Sequence, residues 1–211
     1  MSPKTISCIL FDFDGVLIDS EPAMNIAWNS VQEKYGVKKN FFEYKQHIGL
    51  PFKQILLKLN INTSLHEPIN NYYSKVSSQN KNLIKLNPYV KYILNWIKVN
   101  EIKTGIVTSK DKVRTYELVE FFQLNMKTLI TPELTKEGKP SSEPILHAAK
   151  TLNVSANEIL YVGDMLSDML CAYNSKCLYL HYQNGYQKIN NQIYGGQISS
   201  LKEIIEYVLN F

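Results

Sequence analysis

Residues 6–20 read ISCILFDFDGVLIDS, and this stretch decides how the rest of the chain is understood. Ile6, Cys8, Ile9, Leu10 and Phe11 form a short apolar run of strand formers that ends on Asp12, Asp14 and Gly15. The pattern is that of a buried strand running into a turn. Alternate residues of an extended chain share a face, so Asp12 and Asp14 converge where the strand opens to solvent. Two such carboxylates repel unless a cation neutralises them or one keeps a proton. Taken alone, Asp-x-Asp-Gly is also an ordinary polar turn.

Downstream, residues 21–35 have helical spacing, with Ser20 placed as N-cap and Pro22 in the first turn. Helical spacing continues to about residue 85, through Ile55, Leu56 and Leu59 and then Ile69, Tyr72, Tyr73 and Val76. Strand signals are absent throughout. Gly36, Gly49 with Pro51, and Pro68 divide the block into three or four helices. After Pro88 the pattern alternates. It predicts helices over 89–99, 112–122, 144–152 and 166–174, with strands at 103–108, 128–131, 159–162 and 178–181. Gly195-Gly196 reads as a turn before a last helix over 201–209. Alternation of this kind implies an α/β fold, a parallel sheet flanked by crossover helices, with residues 21–86 as an inserted α-helical cap. The core then consists of residues 1–20 and 87–211.

At 211 residues and 45% apolar content the chain can bury a sizeable core. The net charge of +4 comes from scattered Lys and Arg with no basic run, which argues against nucleic acid as a partner. No apolar run approaches the ~18 residues of a membrane span, and no signal peptide is evident. Cys8, Cys171 and Cys177 lack CxxC spacing and read as reduced core thiols of a cytoplasmic protein. The four histidines share no ligand spacing.

Ligands of parallel α/β sheets bind outside the carboxyl ends of the strands. Three polar clusters follow predicted strands. Thr108-Ser109-Lys110 offers hydroxyls and N–H groups to a phosphate oxygen, or an ordinary turn. Lys139-Pro140 offers a cation to a phosphoryl group, or an unremarkable loop. In YVGDMLSD, residues 161–168, Asp164 and Asp168 stand one helical turn apart, which suits a hard cation such as Mg²⁺ or an acidic helix start.

DFDGVLIDSEP at residues 12–22, followed in order by Thr108, Lys139 and Gly163-Asp164-x-x-x-Asp168, resembles the four motifs of the haloacid dehalogenase superfamily, helical-cap branch. The resemblance spans essentially the whole chain and implies a Rossmann-like catalytic core. It implies that Asp12 is a nucleophile that becomes an aspartyl phosphate, and that Asp14 is the acid and base. Thr108, Ser109 and Lys139 would hold phosphoryl oxygens, and Mg²⁺ would be bound by Asp12, Asp14 through its carbonyl, and Asp164, with Asp168 beside them. Gly49 and Lys53 of the cap would meet the leaving group. The implied activity is Mg²⁺-dependent hydrolysis of a small phosphorylated metabolite, a sugar phosphate or phosphoglycolate-like ester, by a monomer or weak dimer.

Two alternatives stand beside it: a β-phosphoglucomutase-like phosphosugar mutase, and a non-catalytic binding or scaffold member. The mutases carry a cap histidine where this chain has Met24, which favours the hydrolase. Two further departures concern loops: Glu143 replaces an Asp and is expected to cap the following helix, and Pro88-Tyr89 replaces Pro-Gly.

Overall fold

The computed structural model describes residues 5–189 and 194–211. Strand β1 (Cys8–Phe11) is buried along its whole length, and its side chains serve two cores. Ile9 and Phe11 join one apolar cluster, Cys8 and Leu10 the other, as expected of a central strand covered on both faces. A short strand β2 (Ile18–Asp19) leads into α1 (Glu21–Tyr35), α2 (Phe41–Lys45), α3 (Phe52–Lys58) and α4 (His66–Gln79). These helices bury a core of their own around Trp28, Tyr44, Leu56, Ile69 and Tyr73. Trp28 stacks on Tyr44 at 4.5 Å between centroids and donates its indole N–H to the Lys39 carbonyl at 2.8 Å. The chain returns through β3 (Lys85–Leu86), which pairs antiparallel with β2.

The main sheet is completed by β4 (Lys103–Val107), β5 (Thr128–Ile130), β6 (Ile159–Gly163), β7 (Leu178–Tyr182) and β8 (Gly196–Ile198). All pairs are parallel, in the order β5-β4-β1-β6-β7-β8. Helices α5 (Val90–Val99), α6 (Lys112–Phe121) and α9 (Glu203–Leu209) cover one face, whereas α7 (Glu143–Leu152) and α8 (Leu166–Ser175) cover the other. The α/β architecture with an inserted helical cap is therefore the observed one.

Four local readings change. The ribbon of β2 and β3 interrupts a region expected to lack strands, since two residues a side carry no periodic signal. Ser20 precedes α1 without capping it, because its hydroxyl is turned back onto Asp14. Glu143 is the first residue of α7 and reaches backwards, accepting from the N–H groups of Lys136 and Glu137 at 2.9 and 2.8 Å. It fastens the loop that carries Lys139. Of Gly195-Gly196, Gly195 turns with φ +87° but Gly196 starts β8, and the last helix begins at Glu203. An edge strand of three residues exists through pairing with β7, which propensity does not report. Where relatives have glycine after Pro88, Tyr89 occupies the left-handed region at φ +67°, its ring 4.1 Å from the Lys202 ammonium. Among the described residues no helix is long and apolar enough to cross a membrane.

Candidate active site

Because β1 lies between β4 and β6, the residues just beyond the carboxyl ends of these strands meet. Asp12 follows β1, Thr108 follows β4, and Asp164 follows β6. The loop after β5 brings Lys139 into their midst, where it is 1% exposed. Its ammonium lies 2.8 Å from Asp12 Oδ1, 2.5 Å from Asp168 Oδ1 and 3.3 Å from the Tyr161 hydroxyl. Asp168 Oδ1 also accepts from Tyr161 at 3.1 Å, and Oδ2 accepts from the N–H groups of Asp164 and Met165 at 3.1 and 2.9 Å. Asp168 thus spends both oxygens on holding Lys139 and the start of α8.

Asp164 is held differently. Its Oδ2 accepts from the Tyr186 N–H at 2.5 Å, while its Oδ1, fully buried, has no hydrogen-bond partner among the described residues. Gly15 and Gly185 press against it. A Cβ at Gly15 would stand 2.2 Å from Oδ2, and one at Gly185 would stand 2.3 Å away. Gly15 also has φ +86°, so both its backbone and its missing side chain are required here.

Asp14 accepts from the Ser20 hydroxyl and lies 3.2 Å from the Lys110 ammonium. Tyr186 joins the two halves of the acid cluster, since its hydroxyl accepts from the Ser20 N–H at 2.9 Å. Thr108, 5% exposed, accepts from the Lys110 N–H at 3.1 Å. Asp12, Asp14, Thr108, Ser109, Lys110, Lys139 and Gly49 all line one cavity of about 70 Å³. Met24 lines it too, at the position where a mutase would carry histidine.

The charges explain how the cluster is poised. Burial, then the Asp168 charge, pushes the Asp12 carboxyl up to about 7, with Lys139 pulling against them. Burial, then the charges of Asp12 and Asp168, holds Asp164 well above the ordinary carboxylate range. Burial opposes the Lys139 ammonium, but Asp12 and Asp168 outweigh it and raise its pKa above the usual lysine value.

Residues 9–181 match the model of the haloacid dehalogenase-like hydrolases. The chain belongs to this family. It is 26% identical over 201 residues to a phosphoglycolate phosphatase of Nitrosococcus oceani, covering 86% of this chain and 88% of that one. It is 27% identical over 177 residues to a phosphorylated carbohydrates phosphatase of Thermotoga maritima, covering 79% and 80%. A hydrolase from Pseudomonas syringae shares the fold with a TM-score of 0.88 at 20% identity, over 97% of this chain and 99% of that one.

The donor set of this haloacid dehalogenase-like hydrolase suits a hard cation. Asp12, Asp164 and Asp168 each have a carboxylate oxygen within 4.8 Å of the others, those of Asp168 already accepting hydrogen bonds. Three acids face the single ammonium of Lys139, and the orphaned Asp164 Oδ1 is a buried acceptor that a cation would satisfy. Two residues expected at the site stand otherwise. The Ser109 hydroxyl donates to the Gly49 carbonyl at 2.6 Å, so it ties core to insert and is not free for a phosphate. Gly49, at φ +95°, packs closely on the start of α8, for a Cβ there would strike the Ser167 hydroxyl at 2.8 Å. Lys53 is exposed and lines a separate groove with Thr63, His66 and Glu67. On α3, Phe52 and Ile55 face the cavity, and the helical repeat turns Lys53 away from it.

From sequence, Lys110 is the last residue of the Thr108-Ser109-Lys110 cluster with no role for its ammonium, and Tyr186 belongs to no motif. Lys110 stood in plain view after Thr108-Ser109. The signal for Tyr186 is Asn184-Gly185, a turn dipeptide just beyond the carboxyl end of a strand.

Proposed function

We propose that this hydrolase is a Mg²⁺-dependent phosphatase that removes the phosphoryl group from a small phosphate monoester through an aspartyl phosphate on Asp12. The observation that carries the reading is the way Asp12 is presented. Lys139 occupies Oδ1, which leaves Oδ2 to meet phosphorus in the cavity bordered by Thr108 and Asp14. Asp12 attacks in line, the ester bond breaks, and the departing alkoxide takes a proton from Asp14. A water molecule then attacks the acyl phosphate, giving its proton to Asp14 and releasing inorganic phosphate and free Asp12. Thr108 and Lys139 hold the equatorial oxygens through both steps.

Asp12, the backbone carbonyl of Asp14, and Asp164 would hold Mg²⁺, whose charge lets an anionic carboxylate approach an anionic phosphate. Asp168 acts at one remove, since its oxygens already serve Lys139 and two N–H groups. Residues 21–86 form the cap and the remainder the catalytic core, with the Ser109 to Gly49 contact closing one on the other and excluding water. Met24 in the cavity wall supplies no proton relay, which favours hydrolysis over mutase chemistry. The unpaired, buried Cys8, Cys171 and Cys177 support a cytoplasmic setting.

The test is phosphate release from a panel of phosphoglycolate, sugar phosphates, nucleotides and pyrophosphate in the presence of Mg²⁺. Asp12→Asn is expected to lower kcat by about 10⁴-fold or more. Release that persists in that variant would remove Asp12 from the role of nucleophile, and isomer conversion without net release would establish a mutase.

A further inference from the structure

The wall of the cavity opposite Asp12 belongs to the insert, and most of it is apolar, with Met24, Ile48, Leu50, Phe52 and Ile55. One stripe is not. Asn70, Tyr73 and Ser74 lie at i, i+3 and i+4 on α4, so a single face of that helix presents an amide and two hydroxyls to the cavity. Ser77 and Ser78, one turn further on, are engaged by Arg114 and Glu117 of the core. By contrast, the side chains of Asn70 and Ser74 make no hydrogen bond to any described residue. Tyr73 shares one hydrogen bond of 2.9 Å with Tyr44, and the second hydrogen of that hydroxyl pair has no acceptor. Free polar groups beside an apolar wall are what orients a ligand in a small-molecule site.

Charge narrows the ligand further. The insert contributes no cation to the lining, and the two lysines supplied by the core are paired, Lys110 with Asp14 at 3.2 Å and Lys139 with Asp12 at 2.8 Å. Asp111 is a further acid in the wall, its side chain capping α6. A carboxylate on the leaving group would meet acids and no unpaired cation, whereas hydroxyls would find the amide and hydroxyls of α4.

From these observations we infer that Asn70, Tyr73 and Ser74 select the leaving group, and that the substrate is a phosphate ester of an uncharged polyol, with hydroxyls and no carboxylate on the leaving group. The inference rests on the phosphatase reading and goes beyond it in naming the substrate class.

The experiment measures kcat and KM, with Mg²⁺, for glycerol 3-phosphate, 2-phosphoglycolate, glucose 6-phosphate and p-nitrophenyl phosphate. The proteins are the wild type, Asn70→Ala, Ser74→Ala and the exposed same-helix control Lys75→Ala. The wild type is expected to favour glycerol 3-phosphate and glucose 6-phosphate over 2-phosphoglycolate by about tenfold or more in kcat/KM. Asn70→Ala and Ser74→Ala are each expected to lower that preference by about five- to tenfold, mainly through KM, while Lys75→Ala leaves it unchanged. The ratio between two substrates in one preparation is independent of the folded fraction, so loss of stability cannot imitate the result. A wild type that prefers 2-phosphoglycolate, or α4 variants with an unaltered ratio, would overturn the assignment. Hydrolysis of p-nitrophenyl phosphate without preference among the other three would overturn it and leave the phosphatase reading standing. No hydrolysis of any of the four would remove both.

Discussion

The floor and the roof of the cavity are built on opposite principles. On the floor, Asp12, Lys139, Asp164, Asp168 and Tyr161 are buried, and each is tied to another by charge-assisted or hydroxyl bonds. In the roof, neutral side chains predominate, and those of Asn70 and Ser74 make no hydrogen bond to any described residue. Groups that must meet a charged phosphorus the same way in every turnover are held by fixed dipoles and ions. Groups that choose among leaving groups gain from being unpaired until the ligand arrives, because each then adds a bond without breaking one. Two seams join the layers. One is Ser109 on Gly49. The other is Arg114, 3% exposed, which donates to Ser77 at 2.9 Å and pairs with Glu117, itself bonded to Ser78 at 2.6 Å and Lys81 at 3.0 Å.

The largest effect is expected where the floor loses its counter-charge. Lys139→Met leaves Asp12 and Asp168 facing each other in a buried site, and urea denaturation of the metal-free protein at pH 7 is expected to show a loss of about 3–5 kcal/mol. A change under about 1 kcal/mol would mean that the floor is not organised by charge. The next effect is one of pH. In the metal-free protein Asp12 titrates near 7 when folded and near 3.8 when unfolded, and Asp164 is displaced in the same direction. Between those values the folded state holds protons that the unfolded state has released, so stability falls as pH rises from about 4 through 7.

Under the proposed function Mg²⁺ would take the place of those protons. Its stabilisation is therefore expected to be larger at pH 8 than at pH 5, by on the order of 5 °C in Tm. Equal Mg²⁺ shifts at the two pH values would separate the cation from the acids. The smallest effect belongs to the seam. Glu117→Ala leaves the Arg114 guanidinium with the Ser77 hydroxyl, at an expected cost of about 1–2 kcal/mol, and KM should rise more than kcat falls. If both constants stay unchanged, floor and roof meet without help from Arg114.

The same contrast governs what can be read along the chain. An apolar run followed at once by an acid is a local statement. Once Cys8 to Phe11 are committed to a strand buried on both faces, Asp12 can only emerge at its open end, and Thr108 and Asp164 follow by the same rule. The roof offers no such rule. Lys53 and Ser74 both sit on helices of the insert, and only the rotation of each helix against its neighbours turns the first outward and the second into the cavity.

The sequence by itself determined the alternation of strands and helices, the helical insert after β1, and the acids, hydroxyl and lysine waiting at strand ends. Each depends on neighbours within a few residues. The tertiary structure alone decided that β1 lies between β4 and β6, that Lys139 reaches Asp12 across 127 positions, and that Tyr186 closes over Asp164. It also decided which face of α4 lines the cavity. Strand order and helix rotation arise from pairing and packing between distant segments, and no local pattern of residue types encodes them.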